Sequence, residues 1–250
     1  MMWVRSVVLL LGASGLALAG CEGEPVGTPG QLNNLRFAYA IPACTGCSAE
    51  TSIDREVLAG SALDIDVSNV NYRIPYAIRS TAPDVAEFRF TPRCRKVLTY
   101  DCHETIAVET KRAGDADLEV YDEWTGTVID RMTVKVRDAA TIDTTVRVTP
   151  SRDGEATEVE PSPSGEIELR VESNIEIVSI PRSESGEELI ASSGALERIY
   201  ADETVIGPRP VSATLPVVEY AKAKTPGFTT IAVAAPGSGV RRELAFRVVE

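Results

Sequence analysis

The chain has 250 residues, of which 44% are hydrophobic and 25% are charged, and its formal net charge is −12 at pH 7. This hydrophobic content is enough for a buried core, which excludes general disorder, and the length suits one large β domain or two domains of roughly 100 residues. The negative net charge argues against a nucleic-acid partner and against adsorption to anionic lipid, because binding to either one needs a basic protein surface.

Residues 1–20 have the order of a secretory signal peptide. A short head with the positive charge of Arg5 precedes the apolar run Ser6–Ala17, which is shorter than the roughly 20 residues of a membrane-spanning helix. The sequence Leu-Ala-Gly-Cys at Leu18–Cys21 resembles a bacterial lipobox. The resemblance implies cleavage before Cys21 and a diacylglycerol on its sulfur. We therefore expect a lipoprotein that is held to a membrane by its N-terminal lipid.

Short β-strands are predicted after a polar leader. Residues 21–34 contain glycine and proline without hydrophobic periodicity, which predicts a flexible tether. Beyond them, apolar and polar residues alternate in short segments; Leu63, Ile65 and Val67 form the clearest one. About seven such segments without a helical stripe predict an antiparallel β-sandwich over residues 35–138.

Apart from Cys21, four cysteines lie in the first half of the chain: Cys44, Cys47, Cys94 and Cys102. Export places them in an oxidising compartment, where an even number favours two disulfides. Local pairing would join Cys44 to Cys47 and Cys94 to Cys102, because residues in a tight turn lie within disulfide reach. Crossed pairing would join the two loops over about 50 residues and remove more loop entropy. Both schemes stay open, and the local one is preferred.

A second sandwich is predicted over residues 144–250. Small polar residues at Asp138–Asp143 interrupt the strand pattern, which restarts at Val146 and Val148 and continues after an acidic loop with Ile167 and Leu169. Residues 189–210 fit two alternatives, a short helix around residues 196–200 or a segment that crosses between sheets.

The two halves also resemble each other. The matched segments, which share a glycine turn and an alternating strand, are Ala113–Gly126 with Pro226–Gly239, and Gly60–Val67 with Gly165–Val171. In the first match Gly114 corresponds to Gly227. A pattern that recurs after about 110 residues indicates two tandem domains of the same architecture. We therefore expect each half to fold on its own.

The first half resembles a bacterial immunoglobulin-like domain of the group 2 type. In that family a Ser-x-x-Pro-x-Val-Ala segment precedes a strand, an Ala-Gly turn opens a hairpin, and a Val-x-Val strand ends the domain. The matching positions here are Ser80, Pro83, Val85, Ala86, Ala113, Gly114, Val134 and Val136. The Ser-x-x-Pro segment has no clear counterpart in the second half. The resemblance implies a spacer or adhesion module of surface proteins, without catalytic residues.

The cysteines and the single histidine offer little catalytic chemistry. Cys44 and Cys47 have the spacing of a redox motif, but no helical stripe follows them, so a structural disulfide is preferred over a redox pair or a metal site. His103 is the only histidine, which excludes a two-histidine metal site. The preferred interpretation is that His103 is a polar loop residue. A zinc site from His103 and the cysteines is the alternative, although the spacing from Cys94 to Cys102 does not suit a zinc ribbon.

An acidic hairpin is the other candidate site. Asp115, Asp117, Asp122 and Glu123 cluster around one predicted turn but lack the residue order of a calcium loop, so solvated turn carboxylates are preferred. Tyr121 and Trp124 beside them could form a sugar- or partner-binding patch, although a packed strand end is preferred.

These observations predict an all-β chain with two tandem antiparallel β-sandwich domains, immunoglobulin-like, over 35–138 and 144–250. The expected function is non-enzymatic: a lipid-anchored cell-envelope protein for structure, adhesion or protein contact. No catalytic residue, metal, cofactor or nucleic-acid partner is expected. The alternative is an accessory lipoprotein that binds a carbohydrate or another ligand. Glu22 follows the acylated cysteine where some Gram-negative lipoproteins carry a retention aspartate, which favours the outer membrane.

Overall fold

The computed structural model describes residues 27–44, 47–51, 53–69, 75–91, 104–149, 156–162, 165–192, 194–209 and 217–250. These residues form strands, turns and loops, and none of them lies in a helix. The described ranges accordingly hold no helix with the length and apolar character needed to cross a membrane.

Ten of the described strands form the first two sheets. In chain order they are β1 (Thr28–Pro29), β2 (Arg36–Cys44), β3 (Cys47–Thr51), β4 (Val57–Leu58), β5 (Ala62–Ser68), β6 (Tyr76–Ser80), β7 (Ala86–Thr91), β8 (Glu104–Thr110), β9 (Gly114–Asp122) and β10 (Val128–Arg137). A six-stranded sheet has the order β1-β2-β5-β8-β7, with β3 paired to β2, and a four-stranded sheet has the order β4-β10-β9-β6. Neighbouring strands are antiparallel except β4 and β10, which are parallel.

The two sheets share a core because alternate residues of their strands are apolar. On β10, Met132, Val134 and Val136 are buried, whereas the residues between them are partly exposed. The largest buried side chains of this core are Tyr39, Phe37, Ile65, Ile106, Leu118 and Met132. Fully burying one large apolar side chain stabilises the fold by about 1.5–3 kcal/mol, so this core is the main source of stability for the first sandwich.

Nine further described strands form the second pair of sheets. They are β11 (Thr141–Thr149), β12 (Thr157–Glu158), β13 (Glu166–Arg170), β14 (Asn174–Arg182), β15 (Glu197–Tyr200), β16 (Ile206–Pro208), β17 (Val218–Ala223), β18 (Gly227–Ala235) and β19 (Val240–Val249). The sheet orders are β12-β11-β14-β17-β16 and β13-β19-β18-β15, and β13 pairs with β19 in parallel. The predicted fold class, two tandem antiparallel β-sandwiches of the immunoglobulin-like kind, is confirmed.

The two sandwiches share the same strand order apart from one additional edge strand in the first large sheet, and a glycine occupies the same place in both. A Cβ on Gly114 would lie 2.9 Å from Cγ2 of Val85, and a Cβ on Gly227 would lie 3.0 Å from Cγ2 of Val205. Because β9 and β18 both begin against a valine, neither position has room for a side chain. The predicted match of Gly114 with Gly227 agrees with the structure.

The predicted match of Gly60–Val67 with Gly165–Val171 is wrong. The first segment contributes β5 to a large sheet, whereas the second contributes β13 to a small sheet. The counterpart of β13 is β4, because each is the parallel partner of the last strand of its sandwich. Alternation identifies a strand but does not show which of the two sheets the strand joins.

The Ser-x-x-Pro segment of the first half has a structural counterpart at residues 200–206. In the first sandwich the Lys111 ammonium donates to the carbonyl oxygen of Pro83 at 3.1 Å. In the second sandwich Lys224 donates to the carbonyl oxygen of Glu203 at 3.0 Å. Sequence comparison missed this relationship because the bonds go to backbone oxygens, which any residue type can supply.

Candidate anchoring and contact surfaces

A buried carboxylate fastens the N-terminal segment to the first sandwich. Asp130 lies on β10 with its side chain buried. Its carboxylate accepts hydrogen bonds from the backbone N–H groups of Leu32 and Asn34, both at 2.8 Å, and of Leu35 at 2.7 Å. A hydrogen bond to a charged group contributes about 1.5–3 kcal/mol, so Asp130 is a strong attachment point.

The same segment is bonded to the sheets on both sides of Asp130. Thr28–Pro29 forms β1 against β2, and the backbone N–H of Gln31 donates to the carbonyl oxygen of Arg131 at 2.9 Å. A Cβ on Gly30 would lie 2.4 Å from the Asp130 carboxylate, so only glycine allows the chain to approach it. Residues 27–34, expected to belong to a flexible tether, are therefore bonded to the sandwich. Composition could not show this, because the bonds use backbone groups.

Asp130 was not predicted, but one sequence signal could have identified it. The residue occupies an inward position of β10, two residues before the buried Met132. A carboxylate in such a position is costly unless it is hydrogen-bonded. An isolated aspartate within an otherwise apolar stripe therefore indicates a segment that must supply donors.

Of the predicted cysteine sites, the structure describes the backbone of two. Cys44 and Cys47 are register partners at the end of the β2–β3 hairpin. Residues opposite each other in an antiparallel pair have Cα atoms about 4.5–5.5 Å apart, which lies within disulfide range. This register suits local pairing, which stays a prediction. Cys21, Cys94 and Cys102, together with His103, lie outside the described residues.

The predicted acidic cluster separates into individual interactions. The Asp122 carboxylate accepts hydrogen bonds from the backbone N–H groups of Trp124 at 2.8 Å and Thr125 at 3.1 Å, within the turn itself. Asp115 forms an ion pair with Arg137 at 2.7 Å. Within the described residues, no three metal-ligating side chains gather in one place. The carboxylates therefore order the hairpin and do not converge on a common centre.

Tyr121 and Trp124 have different surroundings. The Arg79 guanidinium lies over the Tyr121 ring at 5.2 Å and partly covers it. Trp124 stands at the tip of the β9–β10 hairpin and is 77% exposed. Trp124 is therefore open to a partner, and the preferred interpretation of a packed strand end is wrong for this residue.

A segment of the second sandwich completes the edge of the first. The Leu58 N–H donates to the carbonyl oxygen of Ile190 at 2.8 Å, and the Ile190 N–H donates to the carbonyl oxygen of Glu56 at 2.9 Å. The Ile190 side chain is buried in the core of the first sandwich. Of the two alternatives for residues 189–210, the crossing segment is correct and the helix is wrong, since residues 197–200 form β15.

Polar and apolar contacts extend this junction. The Ala62 N–H donates to the Ser192 hydroxyl at 2.8 Å. Around it lies an apolar cluster to which the first sandwich contributes Leu58 and the second contributes Ile142, Leu189, Ala191, Ala195, Leu196, Val233 and Ala235. The two sandwiches are thus joined by hydrogen bonds and a shared core as well as by the chain.

A groove of about 480 Å³ runs along the outer face of the first large sheet to this junction. Its floor includes Ala40, Ala62 and Ala107, and its sides include Arg89, Glu109 and Ser192. Small side chains leave the floor open, and charged and hydroxyl groups stand along the edges. The groove draws on residues of both sandwiches.

A polar group with a perturbed pKa lies inside the second sandwich. The Tyr200 hydroxyl donates to the Glu219 carboxylate at 2.6 Å. Burial, followed by this hydrogen bond, raises the pKa of Tyr200 well above its ordinary value. The pair bridges β15 and β17, which belong to opposite sheets, so it stabilises the sandwich.

No protein-family model matches the chain, and no curated protein matches it in sequence. Solved structures of bacterial surface proteins are similar to it in backbone. Domains 5–6 of the S-layer protein SbsC have 12% identity and a TM-score of 0.29, covering 78% of this chain and 94% of that one.

Two adhesin structures are also similar to the chain. The Escherichia coli adhesin FdeC has 10% identity and a TM-score of 0.31, covering 87% of this chain and 64% of its own. The Yersinia pseudotuberculosis adhesin InvE has 14% identity and a TM-score of 0.31, covering 91% and 62%. The chain spans less than two thirds of either adhesin structure. At these TM-scores the function must be argued from the contacts of the chain itself.

Proposed function

We propose that the chain is a non-enzymatic, lipid-anchored cell-envelope protein with a structural, adhesive or protein-contact role. The observation that carries this proposal is the continuous series of attachments along the molecule. Asp130 holds the N-terminal segment to the first sandwich, and Ile190 holds the second sandwich to the first. A protein that holds or displays something at a distance from its anchor needs this connection.

The anchor itself is proposed to be a lipid on Cys21. Its support is the Leu-Ala-Gly-Cys junction after a signal-like segment. Two acyl chains give stable attachment where one chain is marginal, at about 0.8 kcal/mol per buried CH₂. Glu22 after the cysteine favours the outer membrane of a Gram-negative cell.

Further parts of the proposal concern domain limits and family. We propose two sandwich domains related to the group 2 bacterial immunoglobulin-like type, with the predicted limits 35–138 and 144–250 extended back to include β1 and the start of β11 at Thr141. The support is the matching strand order of the two halves and the placement of Val85 against Gly114.

Membrane fractionation tests the proposed anchor. Cys21→Ala should move the protein from the membrane fraction to the soluble fraction, because it removes the acylated sulfur. Cys44→Ser is the matched control and should stay in the membrane fraction. The proposal is overturned if Cys21→Ala still sediments with membranes after a high-salt wash.

A second candidate function is an accessory lipoprotein that binds a carbohydrate or another ligand. The groove beside Ser192 favours it, because it offers small residues and polar groups across both sandwiches. Ala107→Trp would fill the floor of the groove. A glycan array probed with the mature protein and with this variant tests the idea: glycan binding that the variant loses supports the second candidate, and no glycan binding rejects it.

A further inference from the structure

The hairpins that join the last two strands of each sandwich are built alike. In the first sandwich, between β9 and β10, the Gly126 N–H donates to the carbonyl oxygen of Asp122 at 2.8 Å. In the second sandwich, between β18 and β19, the Gly239 N–H donates to the carbonyl oxygen of Ala235 at 3.0 Å. Both glycines have a φ of 72°. The two hairpins therefore align residue by residue.

The hairpin of the second sandwich docks on the first sandwich. A Cβ on Gly237, at its tip, would lie 3.8 Å from the Cβ of Ala59, which is an ordinary van der Waals contact. Ala59 belongs to the turn Leu58–Ser61, which we call the receiving turn. The alignment places Trp124 where the second hairpin has Gly237, and Trp124 is 77% exposed. The first sandwich therefore presents the same docking hairpin with a large aromatic side chain at its tip, in solvent.

The receiving turn recurs in the second sandwich as Arg170–Ser173, which we call the far turn. In the receiving turn the Gly60 N–H donates to the carbonyl oxygen of Thr110 at 3.1 Å. In the far turn the Glu172 N–H donates to the carbonyl oxygen of Ala223 at 3.0 Å. Gly60 and Glu172 both have positive φ, at 83° and 70°. The two turns therefore follow the same backbone path.

The two turns differ in the surface that they present. Leu58 of the receiving turn is buried in the apolar cluster shared with the second sandwich, whereas its counterpart in the far turn is the exposed Arg170. Beside Arg170, the partly exposed Val171 takes the place of the buried Ala59. A guanidinium stacks on the face of an aromatic ring. The far turn therefore suits an aromatic tip better than a glycine tip.

The Trp124 hairpin and the far turn lie at opposite ends of the molecule. β10 runs from this hairpin to Arg137, whose carbonyl oxygen accepts a hydrogen bond from the Ala59 N–H in the receiving turn at 2.9 Å. In the same way, β19 runs from the docked hairpin to Val249, whose carbonyl oxygen accepts a hydrogen bond from the Val171 N–H in the far turn at 3.0 Å. Each molecule thus carries an exposed hairpin at one end and an exposed turn at the other.

We propose that copies of this chain associate head to tail, with Trp124 of one copy stacked on Arg170 and Val171 of another. This inference rests on the proposed protein-contact role. Inside the chain the same kind of hairpin already meets the same kind of turn, which makes a second copy the partner of matching shape. Glu123 is exposed beside Trp124 and is opposite in charge to Arg170. Because the contact joins two different ends, it repeats along an open row of copies.

The contact between copies is weaker than the junction inside the chain. The connection from β14 to β15 spans 14 residues (183–196) and supplies Ile190, whereas the corresponding connection from β5 to β6 spans 7 residues (69–75). A head-to-tail contact therefore lacks the backbone bonds of Ile190 and depends on Trp124. We expect reversible association, favoured where a shared membrane concentrates the copies.

Sedimentation of the mature Cys21→Ser chain, which carries no lipid, tests the association. Its weight-average mass should rise above that of a monomer as the concentration increases, and fall again on dilution. Trp124→Ala and Arg170→Glu should each weaken the association by at least about tenfold, because each removes one side of the stacked pair. Ile199→Ala and Arg242→Glu are the matched controls, exposed away from both contact surfaces, and should leave it unchanged.

A mixture of the two variants tests the head-to-tail direction. Trp124→Ala keeps an intact far turn and Arg170→Glu keeps an intact hairpin, so the two variants make one normal contact with each other. The mixture should reach the mass of a dimer and no more, at concentrations where the unsubstituted chain forms larger assemblies. A two-fold pair of Trp124 hairpins would instead let Arg170→Glu associate with itself, and that result overturns the inference.

Monomeric behaviour has an equally definite meaning. The inference is overturned if the unsubstituted chain stays monomeric at about 1 mM, a concentration that populates even weak specific contacts. It is also overturned if Trp124→Ala associates as strongly as the unsubstituted chain. Circular dichroism should show that both variants are folded, since both side chains are exposed. None of these results affects the proposed anchor, which the fractionation of Cys21→Ala tests separately.

Discussion

The backbone N–H of Leu58 donates to the carbonyl oxygen of Ile190, and by this bond a residue of the second sandwich extends the small sheet of the first. The Ile190 side chain continues into the first core. The two halves are therefore not fully independent, because the first sandwich needs Ile190 of the second for its full stability. A chain that ends near Ala140 lacks Ile190, and we expect it to unfold at lower urea concentration than the same sandwich in the full chain.

Ile190→Ala should lower the free energy of unfolding of the first sandwich by about 2–5 kcal/mol, because it opens a cavity in that core. Hydrogen exchange at the amides of the buried β10 residues, followed across a urea series, reports this sandwich. Ile199→Ala is the matched control, since Ile199 is exposed on β15, and it should change the stability by less than about 1 kcal/mol. Equal midpoints for the two variants would show that the junction does not support the first core.

Asp130→Asn should destabilise the first sandwich by about 1.5–3 kcal/mol, because the charge that accepts three backbone N–H groups is lost. Hydrogen exchange should also become faster at the amides of Leu32, Asn34 and Leu35. Asp138→Asn, at an exposed position just after the same strand, is the control and should change neither quantity. Unchanged exchange at the three amides in Asp130→Asn would contradict the assigned role.

Gly114→Ala should cost about 1–3 kcal/mol, because the new Cβ collides with Cγ2 of Val85. Val85→Ala alone should also destabilise, by leaving a cavity. The double variant removes the collision, so its loss should be smaller than the sum of the two single losses. Additive losses in the urea midpoints would show that the two side chains do not compete for this space. Gly227 and Val205 provide the same test in the second sandwich.

Tyr200→Phe should change how stability depends on alkaline pH. The pKa of Tyr200 is raised in the folded state, so its stabilising effect is complete below the ordinary value of 10 and is lost as the pH rises towards the folded value. The variant should lose about 0.5–1.5 kcal/mol at neutral pH and decline less steeply above pH 10. Tyr220→Phe retains Tyr200 and should keep the wild-type slope. Parallel declines of all three proteins in circular dichroism would refute the prediction.

Thiol titration of the denatured mature protein should find no free thiol apart from a non-acylated Cys21, because export favours two disulfides. In Cys44→Ser, local pairing predicts that peptide mapping finds the one new thiol on Cys47. A new thiol on Cys94 or Cys102 would indicate the crossed scheme. Two or more free thiols in the unsubstituted protein would contradict the disulfides altogether, and metal analysis would then separate zinc from redox chemistry.

Sequence reasoning located the strands well because burial of one sheet face forces alternation, as in Met132, Val134 and Val136. It could not assign strands to sheets, since β5 and β13 alternate alike and differ only in partners far along the chain. The contacts of Ile190 and Asp130 were missed for a related reason. Each depends on a backbone group distant in sequence, in a segment without periodicity, so the pattern of β10 shows that Asp130 needs donors but not which segment supplies them.

The attachment at Asp130 also has a mechanical consequence. A pull on the N-terminus reaches β1 and the Asp130 bonds before it reaches the core, so the segment from Gly27 to Asn34 should peel away as far as the buried Leu35 while the sandwich stays closed. Eight freed residues lengthen the chain by about 25 Å. Single-molecule pulling should therefore record a short early extension that reverses on relaxation and disappears in Asp130→Asn. In the intact protein, this release of the N-terminal segment would absorb a sudden load before either sandwich opens.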